Sequence, residues 1–120
     1  MIDSRDIADI YLATWNEGDA GLRRTLIAAR WAADARYVDP VMSGTGADGI
    51  AAMIESARAQ FPGHCFALRG TPDSHNRHVR FSWSLVSGEG RPVAGGTDIV
   101  RLDDAGRIAE VTGFLDTLPA

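Results

Sequence analysis

Three side chains in this sequence could cooperate in proton chemistry: Tyr11, Asp39 and Asp98. Asp39 stands in "ARYVDPV", at the end of an apolar run that Pro40 must terminate, because proline has no N–H to give to a ladder. Asp98 stands in "GGTDIVRL". Strand alternation there puts it on one face with Val100 and Leu102, and Thr97, Ile99 and Arg101 on the other. An acid on the apolar side of a strand must find donors or a cation, or take up a proton and become a donor itself. Tyr11 falls on the apolar face of the first helical stretch, where a buried phenol needs a partner for its hydroxyl. A carboxylate, a neutral acid and a phenol sharing one cavity could hold a proton between them. Each residue also has a plainer reading. Asp39 is equally suited to accept backbone N–H groups in a turn, Asp98 to pair structurally with Tyr11, and Tyr11 to be core.

The elements that must position these residues follow from the periodicity. The 120 residues fit one domain, 1–120. With 45% hydrophobic and 23% charged residues, the chain should fold. Asp3 or Ser4 can cap a helix with Ile7, Ile10, Tyr11 and Trp15 on its apolar face, and Gly18 suits the left-handed position that ends it. Asp19 can cap a second helix carrying Leu22, Leu26, Ile27 and Trp31 on one face. After the short strand, "SGTGADG" reads as a loop with Asp48 as cap, and a third helix presents Ile50, Met53, Ile54, Ala57 and Phe61. The rest reads as strands: "HCFALRG", "HVRFSWSLV", "GGTDIVRL" and "RIAEVTGFLD". In the second of these, Val79, Phe81, Trp83 and Leu85 share a face. The order predicts an α+β fold, three N-terminal helices on a curved, mainly antiparallel sheet enclosing a pocket.

Other chemistries fit less well. A net charge of −4 leaves no basic stripe, so no nucleic-acid partner is expected. No apolar run is long enough to span a bilayer, and no secretory signal is evident, so a cytoplasmic protein with no membrane partner is expected. Cys65 is the single cysteine, which rules out an internal disulfide. His75 and His78 in "DSHNRH", near Asp73, suit a solvated turn better than a metal site, and no metal is expected. Gly44, Gly46 and Gly49 have G-x-G-x-x-G spacing, but a meander follows rather than a βαβ unit, so no dinucleotide cofactor is expected.

"YLATWNEGD", "YVDPV" and "GTDIVRLDDAGRI" resemble the nuclear transport factor 2-like superfamily, which includes ketosteroid isomerases and SnoaL-like polyketide cyclases. The resemblance runs over nearly the whole chain and implies a cone-shaped α+β barrel with an internal pocket, usually dimeric. It further implies that Asp39 is the proton-shuttling base and that Tyr11 and Asp98, the latter protonated, donate to the enolate oxygen. Trp15, Phe61, His64 and Phe114 are the expected substrate contacts. The function implied is proton transfer on a small apolar carbonyl compound, by isomerisation or ring closure, without a cofactor and in a homodimer. The alternative is a non-catalytic ligand-binding or scaffold domain of the same fold. An acid–arginine–acid set of the epoxide hydrolase kind does not fit the "HVRFSWSL" strand.

Overall fold

The computed structural model describes residues 3–116. Three helices pack on one six-stranded curved sheet, in the order α1 (Ser4–Asn16), α2 (Ala20–Arg30), β1 (Trp31–Val38), β2 (Ser43–Thr45), α3 (Gly46–Gln60), β3 (Cys65–His75), β4 (His78–Val86), β5 (Pro92–Leu102) and β6 (Ile108–Leu115). The strands run β2-β1-β6-β5-β4-β3 across the sheet. All neighbours are antiparallel except β1 and β6, because the last strand returns beside the first. The sheet curves round the helices without closing, with β2 and β3 as its edges. A register shift in β3 between Arg69 and Asp73, with Gly70 at φ 72°, bends that edge.

Asp3 caps α1 by accepting the N–H groups of Arg5 and Asp6. The buried stripe of α1 is Ala8, Tyr11, Leu12 and Trp15, with Ile7 and Ile10 only half-buried. Gly18 does not take the expected left-handed conformation, since α1 already ends at Glu17 in extended backbone. Asp19 caps α2 through the Leu22 N–H. On α2 the inward residues are Arg23 and Ile27, whereas Leu22 is 57% exposed. Arg23 can be buried there because its Nε and Nη2 both donate to the Glu17 carbonyl, tying α2 to the turn before it.

Trp31 does not extend the α2 face. It opens β1, buried, stacked on Tyr11 at 5.7 Å, with its indole N–H donating to Thr14 Oγ1 at 3.3 Å. Thr45 rather than Asp48 holds the cap position of α3; Asp48, in the first turn, pairs with Arg24. Residues expected to form one loop instead include β2, paired with β1.

On β4 the alternation is as expected: Val79, Phe81, Trp83 and Leu85 are buried against the helices, and burial of each such side chain contributes roughly 1.5–3 kcal/mol. Asp98 shares the inward face of β5 with Val100 and Leu102.

Candidate functional site

A cavity of about 330 Å³ opens at one end of the sheet, between α1, the end of α3 and the strands. Tyr11, Asp39 and Asp98 line it, brought together from α1, the residue after β1, and β5. Trp15, Phe61 and His64 line it as well. Phe114 does not. It is 54% exposed on the outer face of β6, and Leu115 lines the cavity in its place. The correction follows from register: Gly113 lies opposite inward-facing Asp98, so the next residue must point outward.

Asp39 serves a turn and the cavity at once. Its Oδ1 accepts the N–H groups of Val41 and Met42 at 2.8 and 2.9 Å, and its own N–H donates to the Met42 carbonyl. Its Oδ2 accepts the Tyr37 hydroxyl at 2.6 Å. Oδ1 therefore takes two donors and Oδ2 only one, leaving Oδ2 the freer oxygen to accept a proton. Tyr37 is thus a site residue beyond the three expected from the sequence. The signal was there, because residues two apart on a strand share a face, and Tyr37 precedes Asp39 by two.

Asp98 is 2% exposed. Its Oδ2 accepts the Tyr11 hydroxyl at 2.7 Å. Burial pushes its carboxyl up to about 6; the Tyr11 and Trp83 donors oppose that rise, and the nearby charge of Asp39 adds to it. At pH 7 only about a tenth of Asp98 is then protonated in the free protein. The shift runs in the direction of the expected neutral acid, and the Tyr11 hydroxyl and the nearby Trp83 N–H limit it by favouring the anion. Burial, followed by the charge of Asp98, holds both Tyr11 and Tyr37 well above the ordinary phenol range, so both remain hydroxyl donors.

Gly113 joins the two acids, and nothing in the sequence marked it. A β-carbon there would lie 2.8 Å from Asp98 Oδ1, 3.2 Å from Asp39 Cβ and 3.4 Å from the Tyr37 hydroxyl. The absent side chain leaves room for the Asp98 carboxyl and the Asp39 side chain.

The remaining wall is largely apolar, with Leu12, Phe66, Trp83, Leu85 and Ala94 among the residues that line it. Arg58, also in the wall, donates through Nη1 to the Trp15 carbonyl and so closes the C-terminal end of α1. His64 Nδ1 donates to the Pro62 carbonyl at 3.0 Å, which leaves Nε2 as the ring's acceptor when the imidazole is neutral. His75 and His78 stack far from the cavity, at the β3–β4 hairpin, where Asp73 pairs with Arg80. Among the described residues, no three histidine, cysteine, aspartate or glutamate side chains gather as a metal-ligand set. No helix among them is long and apolar enough to cross a membrane.

Comparison with known proteins agrees with this architecture. The chain is similar to an Agrobacterium tumefaciens protein described as a "putative isomerase of the SnoaL-like family", at 56% identity and a TM-score of 0.93, over 95% of this chain and 97% of that one. A "putative SnoaL-like polyketide cyclase" from Jannaschia shares the fold at 16% identity and a TM-score of 0.72, over 93% and 86% of the two chains. So does a SnoaL-like protein of unknown function from Burkholderia thailandensis, at 11% identity and a TM-score of 0.74, over 95% of each chain. No curated protein matches the chain. Residues 8–111 match the SnoaL-like domain, and the chain belongs to that family.

Proposed function

We propose that this protein catalyses cofactor-independent proton transfer at carbon next to a carbonyl, on a small, largely apolar compound. The observation that carries the reading is the convergence of Asp39, Tyr37 and Asp98 on Gly113, in the wall of an apolar cavity that Tyr11 also lines. In the proposed step, Asp39 Oδ2 takes a proton from the α-carbon. The C–H electron pair becomes the new C=C bond, and the carbonyl π pair moves onto oxygen. Tyr11 donates to that oxygen. Asp98, once protonated, donates to the Tyr11 oxygen it now accepts from, so the donors act in series. Protonated Asp39 then returns its proton to a different carbon, which completes an isomerisation, or the enolate carbon attacks a second carbonyl, whose π pair becomes an alkoxide that takes the proton back from Asp39, which closes a ring. The apolar wall strengthens the hydrogen bonds to the developing charge. The description of the Agrobacterium relative as a "putative isomerase" supports the first outcome.

The test is exchange of acidic C–H for deuterium in a panel of β,γ-unsaturated ketones and diketones. Exchange that is lost by about 10²–10⁴-fold in Asp39→Asn, with substrate affinity kept, is the expected result. Exchange by no compound, or equal exchange by Asp39→Asn, removes the reading and leaves a ligand-binding domain.

We further propose that two copies associate through the outer face of the sheet. Val93, Ile99 and Phe114 are exposed there at 46, 36 and 54%. Ser82, Thr97 and Asp116 form a hydrogen-bonded polar strip beside them, completed by Arg69 paired with Asp116. A solvated face has no need of this apolar area. Light scattering should give twice the chain mass, and Phe114→Asp should halve it while leaving ligand affinity unchanged. A monomeric mass for the unaltered protein would overturn the dimer.

A further inference from the structure

Two donors in the wall of the cavity are left unused by the step above. Trp15 and Trp83 line the cavity at 5 and 9% exposure, and among the described residues neither indole N–H has a hydrogen-bond partner. Asp98 Oδ1 is likewise without one. Buried unpaired donors and acceptors are uncommon because each forfeits its hydration, so three around one cavity call for a physical reason.

All three surround the Tyr11–Asp98 pair. Trp15 lies one turn beyond Tyr11 on α1, with ring centroids 6.4 Å apart. Trp83 lies opposite Gly96 across the β4–β5 pair, and Asp98 is two residues further along the same face of β5. A β-carbon at position 96 would overlap the Trp83 indole, so the bare strand at Gly96 is what leaves room for the ring against β5. Phe66 packs edge-on against both indoles, 5.2 Å from each. The Trp83 N–H is near enough to favour ionised Asp98, and the Trp15 N–H to favour ionised Tyr11, yet neither reaches hydrogen-bond geometry.

We propose that the Trp15 and Trp83 indole N–H groups are positioning donors that close onto Tyr11 and Asp98 when a ligand oxygen is bound by the Tyr11 hydroxyl. The proposal rests on the enolisation reading, since that reading puts an oxygen beside Tyr11. When Tyr11 turns its hydroxyl to that oxygen, protonated Asp98 donates from Oδ2 to the Tyr11 oxygen, and its Oδ1 remains an acceptor without a donor. Trp83 is then placed to supply one to the buried carboxyl. The Tyr11 oxygen, more negative as it donates, attracts the Trp15 N–H. Donors linked in this way polarise one another and strengthen the terminal bond to the ligand.

Two probes of nearly equal shape separate this role from that of an apolar wall: 2-naphthol, which has a hydroxyl for Tyr11, and 2-methylnaphthalene, which has none. In ¹⁵N–¹H spectra of the unaltered protein, the Trp15 and Trp83 indole protons should move downfield with 2-naphthol and not with 2-methylnaphthalene. Trp31, already bonded to Thr14, is the internal reference and should move with neither. Trp83→Phe and Trp15→Phe should each weaken 2-naphthol by about tenfold, the scale of one hydrogen bond in a buried site, and leave 2-methylnaphthalene within about twofold. Equal weakening of both probes, or no 2-naphthol-specific shift of the two indole protons, overturns the proposal, as does failure of 2-naphthol to bind. None of these readouts uses turnover. A protein that exchanges C–H without the indole response keeps the enolisation reading and loses this one. One that shows the response without exchange keeps the donors and loses the enzyme.

Discussion

Asp98 and Gly113 face one another across the β5–β6 pair, and the carboxyl Oδ1 of Asp98 lies where only a glycine leaves room for it. The β-carbon of an alanine at 113 would come within 2.8 Å of that oxygen and 3.2 Å of Asp39 Cβ. Gly113 does not use a left-handed conformation, so the substitution tests space rather than backbone freedom. Gly113→Ala should therefore fold, destabilised by about 1–3 kcal/mol as an overpacked site, and its C–H exchange should fall. Urea denaturation and deuterium exchange measure the two effects. A stability within about 0.5 kcal/mol of the unaltered protein, with exchange intact, would show that the two acids need no such gap.

Tyr37 holds the freer oxygen of Asp39 at 2.6 Å from a largely buried position. Removing its hydroxyl in Tyr37→Phe takes away that donor while Val41 and Met42 keep the other oxygen in place. The turn should survive, with stability lower by about 1 kcal/mol. Asp39 then loses its orientation toward the cavity more than its position. Exchange should fall by about tenfold through kcat, with KM little changed. An effect confined to KM would make Tyr37 a substrate contact instead.

Much of this arrangement is legible in the sequence because strand alternation is a rigid rule. Val79, Phe81, Trp83 and Leu85 on β4, and Asp98 with Val100 and Leu102 on β5, follow from period two alone. What alternation cannot supply is the facing strand. Phe114 looks like a cavity residue by its type, and only the pairing of Asp98 with Gly113 turns it outward. Helix faces are less certain for a related reason. Arg23 is buried and Leu22 exposed because a carbonyl six residues earlier satisfies the guanidinium, a tertiary fact that hydrophobicity does not carry. Gly113 and Gly96 are the hardest to read. Their role is to leave space for side chains distant in sequence, and a residue that does nothing locally gives no local signal.

The raised carboxyl of Asp98 predicts how stability should vary with pH. In the folded chain burial pushes it up to about 6 from an ordinary value of 3.8. The folded state therefore holds this proton more tightly than the unfolded state. Below about pH 4 both states carry it, and the contribution to stability is complete. Between about 4 and 6 the unfolded chain releases its proton while the folded chain keeps it, and the contribution declines as pH rises. Above about 6 both are ionised, and the folded state bears the full cost of a buried anion. That cost is on the order of 2–3 kcal/mol for a shift of this size at a site almost out of water. Asp98→Asn keeps an oxygen for the Tyr11 hydroxyl and cannot ionise. The stability of the unaltered protein relative to Asp98→Asn should therefore fall between pH 4 and 7 and level off above that. Urea denaturation of both proteins at half-unit intervals measures the difference and cancels the other acids. A difference that stays flat across this range, or that grows in favour of the unaltered protein as pH rises, would mean that Asp98 enters the folded state as a stabilised anion. The series arrangement of Asp98, Tyr11 and a bound oxygen would then lack its first donor.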